Sequence, residues 1–324
     1  MTTLQPTASA PDATLAGVRT LEVAARMQVA EDAVELTLRR PDGGRLPDWA
    51  PGAHLDLVLP DGRSRQYSLC GDRWDAHTYR VAIRREPQGR GGSVWLHDEA
   101  RPGTMLGFAG PRNSFRMAPA ERYLLVAGGI GITPLLPMVR QAEMIGADWH
   151  LLYLGRGLAS LPYLEELEAH GDRVTVHCGD TDGRADLDAW LPTDPSVRVY
   201  ACGPERLLDA VEAWAPRLAL PPRVERFAAR IDDRPGRPFE VVASRSGVST
   251  AVGADETVVA ALRRVGVEVI TSCAQGVCGT CEADVLEGTP DHRDSVLDEH
   301  ARASGTCLLP CVSRCLDDRL VLDL

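Results

Sequence analysis

Short runs of alternating apolar and polar residues occupy the first third of the chain. They lie at Glu35–Arg39, His54–Leu59, Arg65–Leu69 and Tyr79–Arg84, and turn-forming Pro, Asp and Gly residues separate them. Alternation with a period of two indicates strands, and closely spaced strands with little helix between them are typical of a small antiparallel β-barrel. We therefore predict a barrel over residues 18–117, preceded by a disordered tail at 1–17 that is rich in Thr, Ala and Pro.

From residue 118 the pattern changes to apolar strand-like runs that alternate with helical segments. The expected strands are 123–127, 149–154, 173–177 and 197–201, and the expected helices are 134–142, 163–170 and 205–214. This alternation predicts a parallel sheet covered on both faces over residues 118–227. Ligands bind beyond the carboxyl ends of such strands, where Gly128–Thr133, Gly155-Arg156 and Cys202-Gly203-Pro204 fall.

A polar segment rich in Pro and Gly at 228–238 predicts a linker. Beyond it, the sequence indicates a hairpin over Phe239–Val252, then a helix that Asp255 is expected to cap and Gly266 to end. The apolar residues Val258, Val259 and Leu262 are expected to face inward. With short strands at 282–286 and 320–322, residues 239–324 are predicted to form an α+β domain.

Three cysteines of this last domain, Cys273, Cys278 and Cys281, have the spacing C-x4-C-x2-C. With a fourth cysteine downstream, this spacing is the plant-type arrangement that holds a [2Fe–2S] cluster. Zinc ribbons favour two C-x2-C pairs and this region has one, so zinc is a weaker interpretation, and a disulfide cluster is weaker still. The spacing alone leaves three candidates for the fourth ligand, which are Cys307, Cys311 and Cys315.

Two glycine-rich turns predict anion sites. Gly91-Gly92-Ser93 opens a helical segment, where unpaired backbone N–H groups and the helix dipole favour a phosphate. Gly128-Gly129-Ile130-Gly131 follows a strand and precedes a helix, which allows the backbone to approach a pyrophosphate. Each turn is a weak signal alone, because a Gly-Gly-Ser turn is common and the second loop lacks the third glycine of the dinucleotide fingerprint.

The composition of the 324 residues is that of a globular protein with two or three domains. No apolar run approaches the ~20 residues that cross a bilayer, and the N-terminus resembles neither a secretory signal nor a transit peptide. Nine cysteines without an export signal indicate a reducing compartment, so a cytoplasmic location is expected. The net charge of −11 argues against nucleic acid as a ligand.

The acidic charge is concentrated in the last domain. Residues 237–324 contain 8 basic and 14 acidic side chains, a net charge of −6. A face of this kind can steer a basic protein partner, or it can be a solvated acidic surface without a partner. Both interpretations stay open at this point.

An ordered set of motifs runs through the chain, and together they resemble the phthalate dioxygenase reductase family, which includes vanillate demethylase reductases. The motifs are Arg65-Gln66-Tyr67-Ser68, Gly91-Gly92-Ser93, Gly128-Gly129-Ile130-Gly131-Ile132-Thr133-Pro134, Cys202-Gly203-Pro204 and the cysteine loop. The resemblance covers nearly all of residues 18–324. It implies an FMN-binding barrel, an NAD-binding α/β domain and a plant-type ferredoxin domain of the β-grasp type, in that order.

For the flavin, the resemblance implies that Arg65 and the Gly91–Ser93 turn lie near the FMN phosphate and that Tyr67 and Ser68 lie beside the isoalloxazine. The remaining flavin-binding residues that it implies are Gln66, Ala82, Ile83 and Thr133. FMN in place of FAD follows from the resemblance, since no residue here rules out an adenylate tail. Without the surrounding motifs, Tyr67 is an ordinary core aromatic residue and Arg65 an ordinary surface charge.

For the nicotinamide nucleotide, the resemblance implies a pyrophosphate loop and a loop that places the nicotinamide. The residues concerned are Gly128, Gly129, Gly131, Thr133, Pro134, Arg156, Cys202, Gly203 and Pro204, and the hydride-transfer site is expected near Ser68, Cys202 and Phe227. Cys202 also suits a small buried position at a strand end. Arg156 suits either an adenosine ribose or a 2′-phosphate, so NADH is expected from the habit of the family.

The family context also narrows the fourth cluster ligand. Members carry it in a Cys-x-Ser-Arg segment before a closing strand, and Cys311-Val312-Ser313-Arg314 matches that segment. The ligand set that the resemblance implies is Cys273, Cys278, Cys281 and Cys311, which leaves Cys70, Cys178, Cys307 and Cys315 as ordinary thiols.

These parts predict an electron-transfer enzyme without a classical acid or base residue. Nicotinamide gives up two electrons as hydride whereas a [2Fe–2S] cluster accepts one, so a flavin must stand between them. The resemblance implies that the acceptor is a separate Rieske-type terminal oxygenase, because this chain has no C-x-H…C-x-x-H pair of its own. A cytochrome P450 is the alternative acceptor, a non-catalytic redox sensor is the alternative function, and a monomer is the expected state.

Overall fold

The computed structural model describes residues 19–229, residue 232 and residues 234–324. The predicted tail at 1–17 lies outside the described residues, as do Arg230, Ile231 and Asp233 of the predicted linker. The chain divides into two compact units, one reaching Tyr200 and including Arg217–Leu220, and the other formed by Ala201–Pro216 and Pro221–Leu324. None of the helices in the described part of the chain has the length and apolar character needed to span a bilayer.

The first unit begins with a six-stranded antiparallel barrel and one helix. Its elements are β1 (Thr20–Ala30), β2 (Ala33–Arg39), β3 (His54–Val58), β4 (Ser64–Ser68), β5 (Thr78–Arg84), α1 (Gly92–Glu99) and β6 (Met105–Arg112). The strand order is β4-β3-β6-β1-β2-β5, and a bridge between Leu69 and Val81 joins its two ends. Leucine, valine and isoleucine side chains that alternate along these strands fill the interior. The predicted barrel is confirmed.

Two strands of the barrel, β1 and β6, have no counterpart among the strands predicted from the sequence. The register of β1 against β2 shifts between Val23 and Ala25 and again between Gln28 and Ala30, and each bulge interrupts the period-two alternation on which the prediction depends. β6 contains Gly107, Gly110 and Pro111, which indicate a turn when they are read without tertiary context.

The next elements form a five-stranded sheet with helices. They are β7 (Arg122–Gly128), α2 (Ile132–Met144), β8 (Asp148–Gly155), α3 (Leu164–Glu168), β9 (Val174–Cys178), α4 (Gly179–Asp182), β10 (Arg198–Cys202), α5 (Glu205–Glu212) and β11 (Arg223–Glu225). The order is β11-β10-β7-β8-β9, and β7 pairs in parallel with β8, as β8 does with β9. The predicted parallel sheet is confirmed. Helix α2 begins at Ile132, two residues before the predicted Pro134, because Gly129–Gly131 form a 3₁₀ turn that leads directly into it.

The second unit ends in a small α+β fold. Its elements are β12 (Phe239–Ala243), β13 (Val248–Val252), α6 (Val258–Arg264), β14 (Ala283–Glu287), β15 (Pro290–Asp291), α7 (Glu299–Ser304), β16 (Cys307–Leu308), β17 (Arg314–Cys315) and β18 (Arg319–Leu322). The main sheet has the order β13-β12-β18-β14-β16, in which β12 and β18 are parallel. The buried residues of α6 pack against this sheet, as predicted.

One detail of the predicted helix α6 is wrong. Thr257, not Asp255, caps it, because the Thr257 side chain accepts a hydrogen bond from the backbone N–H of Ala260 at 3.1 Å. Thr257 has the extended backbone that an N-cap requires and immediately precedes the first helical residue. Gly266 follows the end of the helix with a φ of +83°, which explains the glycine at this position.

Candidate cofactor sites

The turn before α1 is surrounded by arginine side chains. A Cβ atom placed on Gly91 would lie 2.6 Å from Nη1 of Arg63, and one placed on Gly92 would lie 2.7 Å from Nε of Arg65. Both guanidinium groups donate to the carbonyl oxygen of Arg90, at 2.9 Å from Arg63 and 3.0 Å from Arg65. Two cations therefore flank a glycine turn whose backbone N–H groups open a helix, and this donor set fits a phosphate.

The electrostatics of this turn favour an anion. Partial burial, and then the charge of Arg90, lower the pKa of Arg65 from its ordinary value. Asp61 already pairs with Arg63, and a phosphate would further offset the repulsion among Arg63, Arg65 and Arg90. Arg63 and Arg90 were not singled out from the sequence. Arg63 lies two residues before Arg65 and immediately before β4, so a spacing of two residues was the signal that could have found it.

Strand β4 separates its predicted flavin-binding residues onto two faces. Tyr67 pairs with Leu55 of β3 and packs against the barrel core, whereas Gln66 pairs with Asp56 and donates to its carboxylate at 2.6 Å. Ser68, at the end of the strand, is buried. Tyr67 and Gln66 therefore cannot present their side chains to the same surface of the barrel.

The same alternation applies to Ala82 and Ile83 on β5. Ile83 belongs to the barrel core, and Ala82 pairs with Glu35 on the other face of the sheet. Both side chains are buried. A ligand along the outer surface of this strand would therefore meet the side chain of Ala82 and only the backbone of Ile83.

The Gly128–Thr133 loop follows the carboxyl end of β7, as the sequence predicts. A Cβ atom on Gly129 would meet no other atom within 4 Å, so crowding does not require glycine at this position. Its φ of +52° does, because residues with a side chain rarely adopt this backbone conformation. Thr133 is buried and its hydroxyl donates to the carbonyl oxygen of Ile130 at 3.0 Å. The hydroxyl of Tyr153 also contacts this loop. It lies 3.1 Å from the carbonyl oxygen of Gly129 and 3.0 Å from that of Pro162, so it ties the loop to the segment that carries Pro162.

A buried polar network connects the barrel to the parallel sheet within the first unit. The hydroxyl of Tyr163 donates to the carboxylate of Glu35 at 2.9 Å and lies 3.3 Å from the thiol of Cys70. Arg80 closes the network with an ion pair to Glu35 at 2.6 Å. Burial raises the pKa of Tyr163 well above its ordinary value and that of Cys70 to about 12, so both groups stay protonated at neutral pH.

A second link lies close to this network. One nitrogen of Arg140 on α2 donates to the carbonyl oxygens of Cys70 and Gly71, at 2.9 and 2.7 Å, and the guanidinium also pairs with Glu166. Since Cys70 follows Ser68 by two residues, Arg140 links the chain just after β4 to helix α2. The sequence shows no pattern that joins these residues, because they come from separate elements.

The remaining predicted nucleotide-binding residues lie at strand ends. Arg156 is exposed after β8, and its carbonyl oxygen accepts from the backbone N–H of Asp180 at 2.9 Å. Cys202 is fully buried at the end of β10, where burial and then the charge of Glu225 raise the pKa of its thiol well above the ordinary value. Gly203 and Pro204 lead into α5, and Phe227 is 47% exposed, which leaves its ring accessible.

Four thiols lie close together, three from the cysteine loop and one from Cys311. Cys273, Cys278, Cys281 and Cys311 are all buried, and Cys273 lies within hydrogen-bonding reach of Cys278 and Cys311, as Cys281 does of Cys311. Gly276 has a φ of +69°, and a Cβ atom at this position would lie 2.6 Å from a methyl group of Val312. The turn can therefore approach the segment that carries Cys311 only with glycine at this position.

The thiols of this group shift one another's pKa values in opposite directions. Hydrogen bonds from Cys278 and Cys311 lower the pKa of Cys273, and one from Cys311 lowers that of Cys281. The same contacts raise the pKa of Cys278 and of Cys311. Iron binds cysteines as thiolates, and four cysteines in one buried group fit a [2Fe–2S] cluster.

The two other candidates for the fourth ligand have different partners. Cys307 lies in β16, where the side chain of Glu282 hydrogen bonds to its thiol, and Cys315 in β17 donates to the carbonyl oxygen of Arg319 at 3.4 Å. Neither thiol is among the hydrogen-bonding neighbours of Cys273 and Cys281. The geometry thus groups Cys311 with the loop, and its role as a ligand enters the proposal below.

Comparison with known proteins agrees with this arrangement. Residues 241–316 match the family model for a 2Fe-2S iron-sulfur cluster binding domain. The chain is 45% identical over 312 residues to a putative reductase subunit of a toluene-4-sulfonate monooxygenase system from Comamonas testosteroni, which covers 93% of this chain and 98% of that one. It is 36% identical over 320 residues to phthalate dioxygenase reductase of Burkholderia cepacia, with 95% and 98% covered.

Solved structures show the same fold. The structure of phthalate dioxygenase reductase, described as modular for electron transfer from pyridine nucleotides to [2Fe-2S], matches with a TM-score of 0.68 and 35% identity over 95% of this chain and 98% of that one. An intact type IV self-sufficient cytochrome P450 monooxygenase matches with a TM-score of 0.89 and 40% identity. That match covers 95% of this chain, which spans only 41% of the longer protein.

A barrel with a phosphate turn, a parallel sheet with a glycine loop and a four-thiol loop together define a flavin- and iron–sulfur-containing oxidoreductase that transfers electrons. Within this class, the chain belongs to the phthalate dioxygenase reductase family. The predicted multidomain fold and the predicted cofactors, FMN, NADH and a [2Fe–2S] cluster, are confirmed at this level. Relatives named as reductase subunits place such chains in oxygenase systems.

Proposed function

We propose that this protein takes electrons from NADH through FMN and the [2Fe–2S] cluster and delivers them to a separate Rieske-type terminal oxygenase. The observation that carries the proposal is the presence of three cofactor sites on one chain that matches oxygenase reductases over almost its full length. When they are bound, the nicotinamide supplies hydride, the flavin accepts electrons in pairs and releases them singly, and the cluster carries one electron at a time.

The proposed division of labour follows the predicted limits, with flavin binding at 18–117, nicotinamide binding at 118–227 and cluster binding at 239–324. In the first part, Arg63 and Arg65 bind the FMN phosphate at the Gly91–Ser93 turn, because their guanidinium groups already converge there. Ser68 and Ala82 offer small side chains on which the flavin ring can lie. Burial of Ser68 keeps water from this edge of the barrel.

In the second part, the backbone of Gly128–Gly131 binds the pyrophosphate, and Thr133 lies in the first turn of the helix whose dipole supports it. Gly203 and Pro204 place the nicotinamide, and buried Cys202 fills the space behind it without acting as a nucleophile, because its thiol stays protonated. Arg156 binds the adenosine ribose.

In the third part, Cys273, Cys278, Cys281 and Cys311 hold the cluster. The backbone N–H of Gln275 donates to Sγ of Cys273 at 3.2 Å, which is the type of hydrogen bond that tunes the potential of a cluster. Acidic side chains around this part of the chain favour a basic surface on the partner.

The test uses the purified protein loaded with FMN and iron–sulfur cluster. Under anaerobic conditions, NADH is expected to bleach the flavin absorbance and then the cluster absorbance in stopped-flow measurements. If NADH leaves the flavin absorbance unchanged, the proposed function fails. Turnover of a Rieske-type oxygenase reconstituted with this reductase is expected to depend on both proteins and on NADH.

A cytochrome P450 is the second candidate acceptor, because the match to the self-sufficient P450 monooxygenase has the higher TM-score of the two structures described above. The two acceptors are separated by steady-state assays in which the same reductase is titrated with a Rieske-type oxygenase or with a P450 haem protein. A kcat/KM at least ~10-fold higher for the P450 would replace the first proposal by the second.

A further inference from the structure

Asp294 is buried between the cysteine loop and the segment that carries Cys311. On the side of the loop, the backbone N–H of Ser295 donates to the carbonyl oxygen of Gly276 at 2.8 Å, and a Cβ atom on Gly276 would lie 3.1 Å from Cα of Asp294. On the other side, the hydroxyl of Ser313 donates to the carboxylate of Asp294 at 3.5 Å. Asp294 therefore lies against both segments that supply the proposed cluster ligands.

The sequence positions of these contacts limit how far the carboxylate is from the ligands. Gly276 precedes Cys278 by two residues, and Ser313 follows Cys311 by two residues. Successive Cα atoms are about 3.8 Å apart, so the carboxylate is on the order of 10 Å from the thiols of both cysteines. A charge at this distance acts on the cluster site when little water lies between them.

The side chain of Asp294 has no exposed surface, and its immediate neighbours suit the carboxylate form. Oδ1 accepts hydrogen bonds from the backbone N–H groups of Val296 and Leu297, at 2.9 and 2.8 Å. Nη2 of Arg302 lies 3.6 Å from Oδ1, and Nδ1 of His292 lies 3.7 Å from Oδ2. The guanidinium of Arg302 is partly exposed, so water screens its positive charge more than it screens the buried carboxylate.

The field of Asp294 reaches another thiol of the same domain. Burial, and then neighbouring acidic groups that include Asp294, raise the pKa of Cys307 to about 11. A nearby carboxylate disfavours any added negative charge, whether a thiol loses a proton or a cluster gains an electron. The charge around an iron–sulfur cluster is one of the factors that set its reduction potential.

We propose that Asp294 tunes the [2Fe–2S] cluster without binding it, and that its buried charge holds the reduction potential of the cluster at a more negative value. Arg302 opposes this effect in part, because it brings a positive charge to the same carboxylate. A more negative potential makes the cluster a stronger one-electron donor to the acceptor protein. The proposal rests on the cluster binding that the proposed function includes, and it adds a residue outside the ligand set.

Redox titration of the full-length protein loaded with FMN and cluster, followed by electron paramagnetic resonance at one fixed pH, tests the proposal. Asp294→Asn removes the charge and keeps an oxygen atom that accepts from Val296 and Leu297. It should favour the reduced cluster by about 10-fold, which is an upward shift of about 59 mV for a one-electron couple. Arg302→Gln should shift the potential in the opposite direction, by about 2- to 5-fold, because its charge is partly screened.

Two variants serve as controls for this titration. Arg302→Lys keeps the positive charge and should leave the reduction equilibrium within about twofold of the wild-type value. Glu240→Gln removes an acidic charge from an exposed pair with Arg319 on the sheet of the same domain. It should also stay within about twofold, since water screens exposed charges.

The sign of the two shifts decides the outcome. A downward shift or none in Asp294→Asn would overturn the proposal, and shifts of the same sign in Asp294→Asn and Arg302→Gln would show that altered packing and not charge moves the potential. If Asp294→Asn loses the cluster, an upward shift or none in Arg302→Gln would overturn the proposal. A wild-type protein without a reducible cluster would overturn the proposed function itself, and this inference with it.

Discussion

In the proposed function, the arginine turn (Arg63, Arg65 and Gly91–Ser93) and the cysteine loop both retain a redox cofactor, but they do so in different ways. At the turn, charged side chains that are partly exposed converge from two places in the chain, and Arg63 and Arg65 meet the carbonyl oxygen of Arg90. In the loop, three of four buried thiols come from nine consecutive residues, and backbone turns shape the site.

The difference shows what each type of bond requires. Thiolate ligation to iron is covalent and directional, so the loop must fix four sulfur positions and excludes water from them. Phosphate binding by guanidinium groups is electrostatic and tolerates small displacements, because each arginine presents several donors. We therefore expect a single substitution of a cysteine ligand to abolish cluster binding, and a single substitution of an arginine at the turn only to weaken FMN binding.

The largest expected effect is at the fourth ligand. Cys311→Ser should abolish the electron paramagnetic resonance signal of the reduced cluster, because a serine oxygen does not replace a soft thiolate in this group. Cys307→Ser is the matched control and should retain the signal, since that thiol is engaged with Glu282. If Cys307→Ser removes the signal and Cys311→Ser keeps it, the ligand assignment is wrong.

A graded effect is expected at the arginine turn. Arg65→Gln should raise the Kd for FMN by about 10- to 100-fold, which corresponds to the loss of a charge-assisted hydrogen bond. Fluorescence titration of the flavin-free protein with FMN measures the change. Arg84→Gln, which removes an exposed arginine paired with Glu86, is the control. An unchanged Kd in Arg65→Gln would contradict the phosphate site.

The link between the barrel and the parallel sheet should have a smaller influence on hydride transfer. Tyr163→Phe removes the donor to Glu35, so the free energy of unfolding should fall by about 1–3 kcal/mol and flavin bleaching by NADH should slow by a factor on the order of 10. Urea unfolding and stopped-flow absorbance measure the two effects.

The control for this prediction is Tyr79→Phe, which loses a hydrogen bond to Pro47 within the barrel alone. It should reduce stability without slowing the bleaching. Equal slowing in both variants would show that Tyr163 acts through stability and not through the placement of the two parts.

The smallest effect concerns a thiol outside the cluster loop. Burial raises the pKa of Cys70 to about 12, so the folded chain keeps this proton at a pH where the unfolded chain has lost it. The contribution of this thiol to the free energy of unfolding is therefore fully present below the ordinary thiol pKa and is lost as the pH rises toward 12. Between pH 8 and pH 10 the decrease from this group should be about 2 kcal/mol. In Cys70→Ala, the free energy of unfolding measured with urea should fall less between pH 8 and pH 10 than in the wild-type protein, by that amount. An equal fall in the two proteins would contradict the prediction.

Local sequence patterns were sufficient for much of the molecule. The alternation of strands and helices predicted the barrel, the parallel sheet and the α+β fold, and the C-x4-C-x2-C spacing predicted three thiols that the structure brings together. These features depend on residues close in sequence. The bulged strand β1 and the glycine-containing β6 were missed because their register depends on neighbouring strands.

The contacts between the barrel and the α/β part could not be predicted from local sequence patterns, because they join residues that are far apart in the chain. Tyr163 and Glu35 are separated by 128 positions, and neither residue type marks a partner in advance. Arg63 was missed for a different reason, since an arginine near a turn is usually a solvated side chain.

The close packing of Gly276 against Val312 bears on protein engineering. The turn inside the cysteine loop takes its shape against the very segment that supplies Cys311. Transplanting residues 273–281 into another scaffold would leave behind both that surface and the fourth thiol. A transferable unit must therefore contain at least Cys273 to Arg314, and designers of chimeric reductases should place their junctions outside this range.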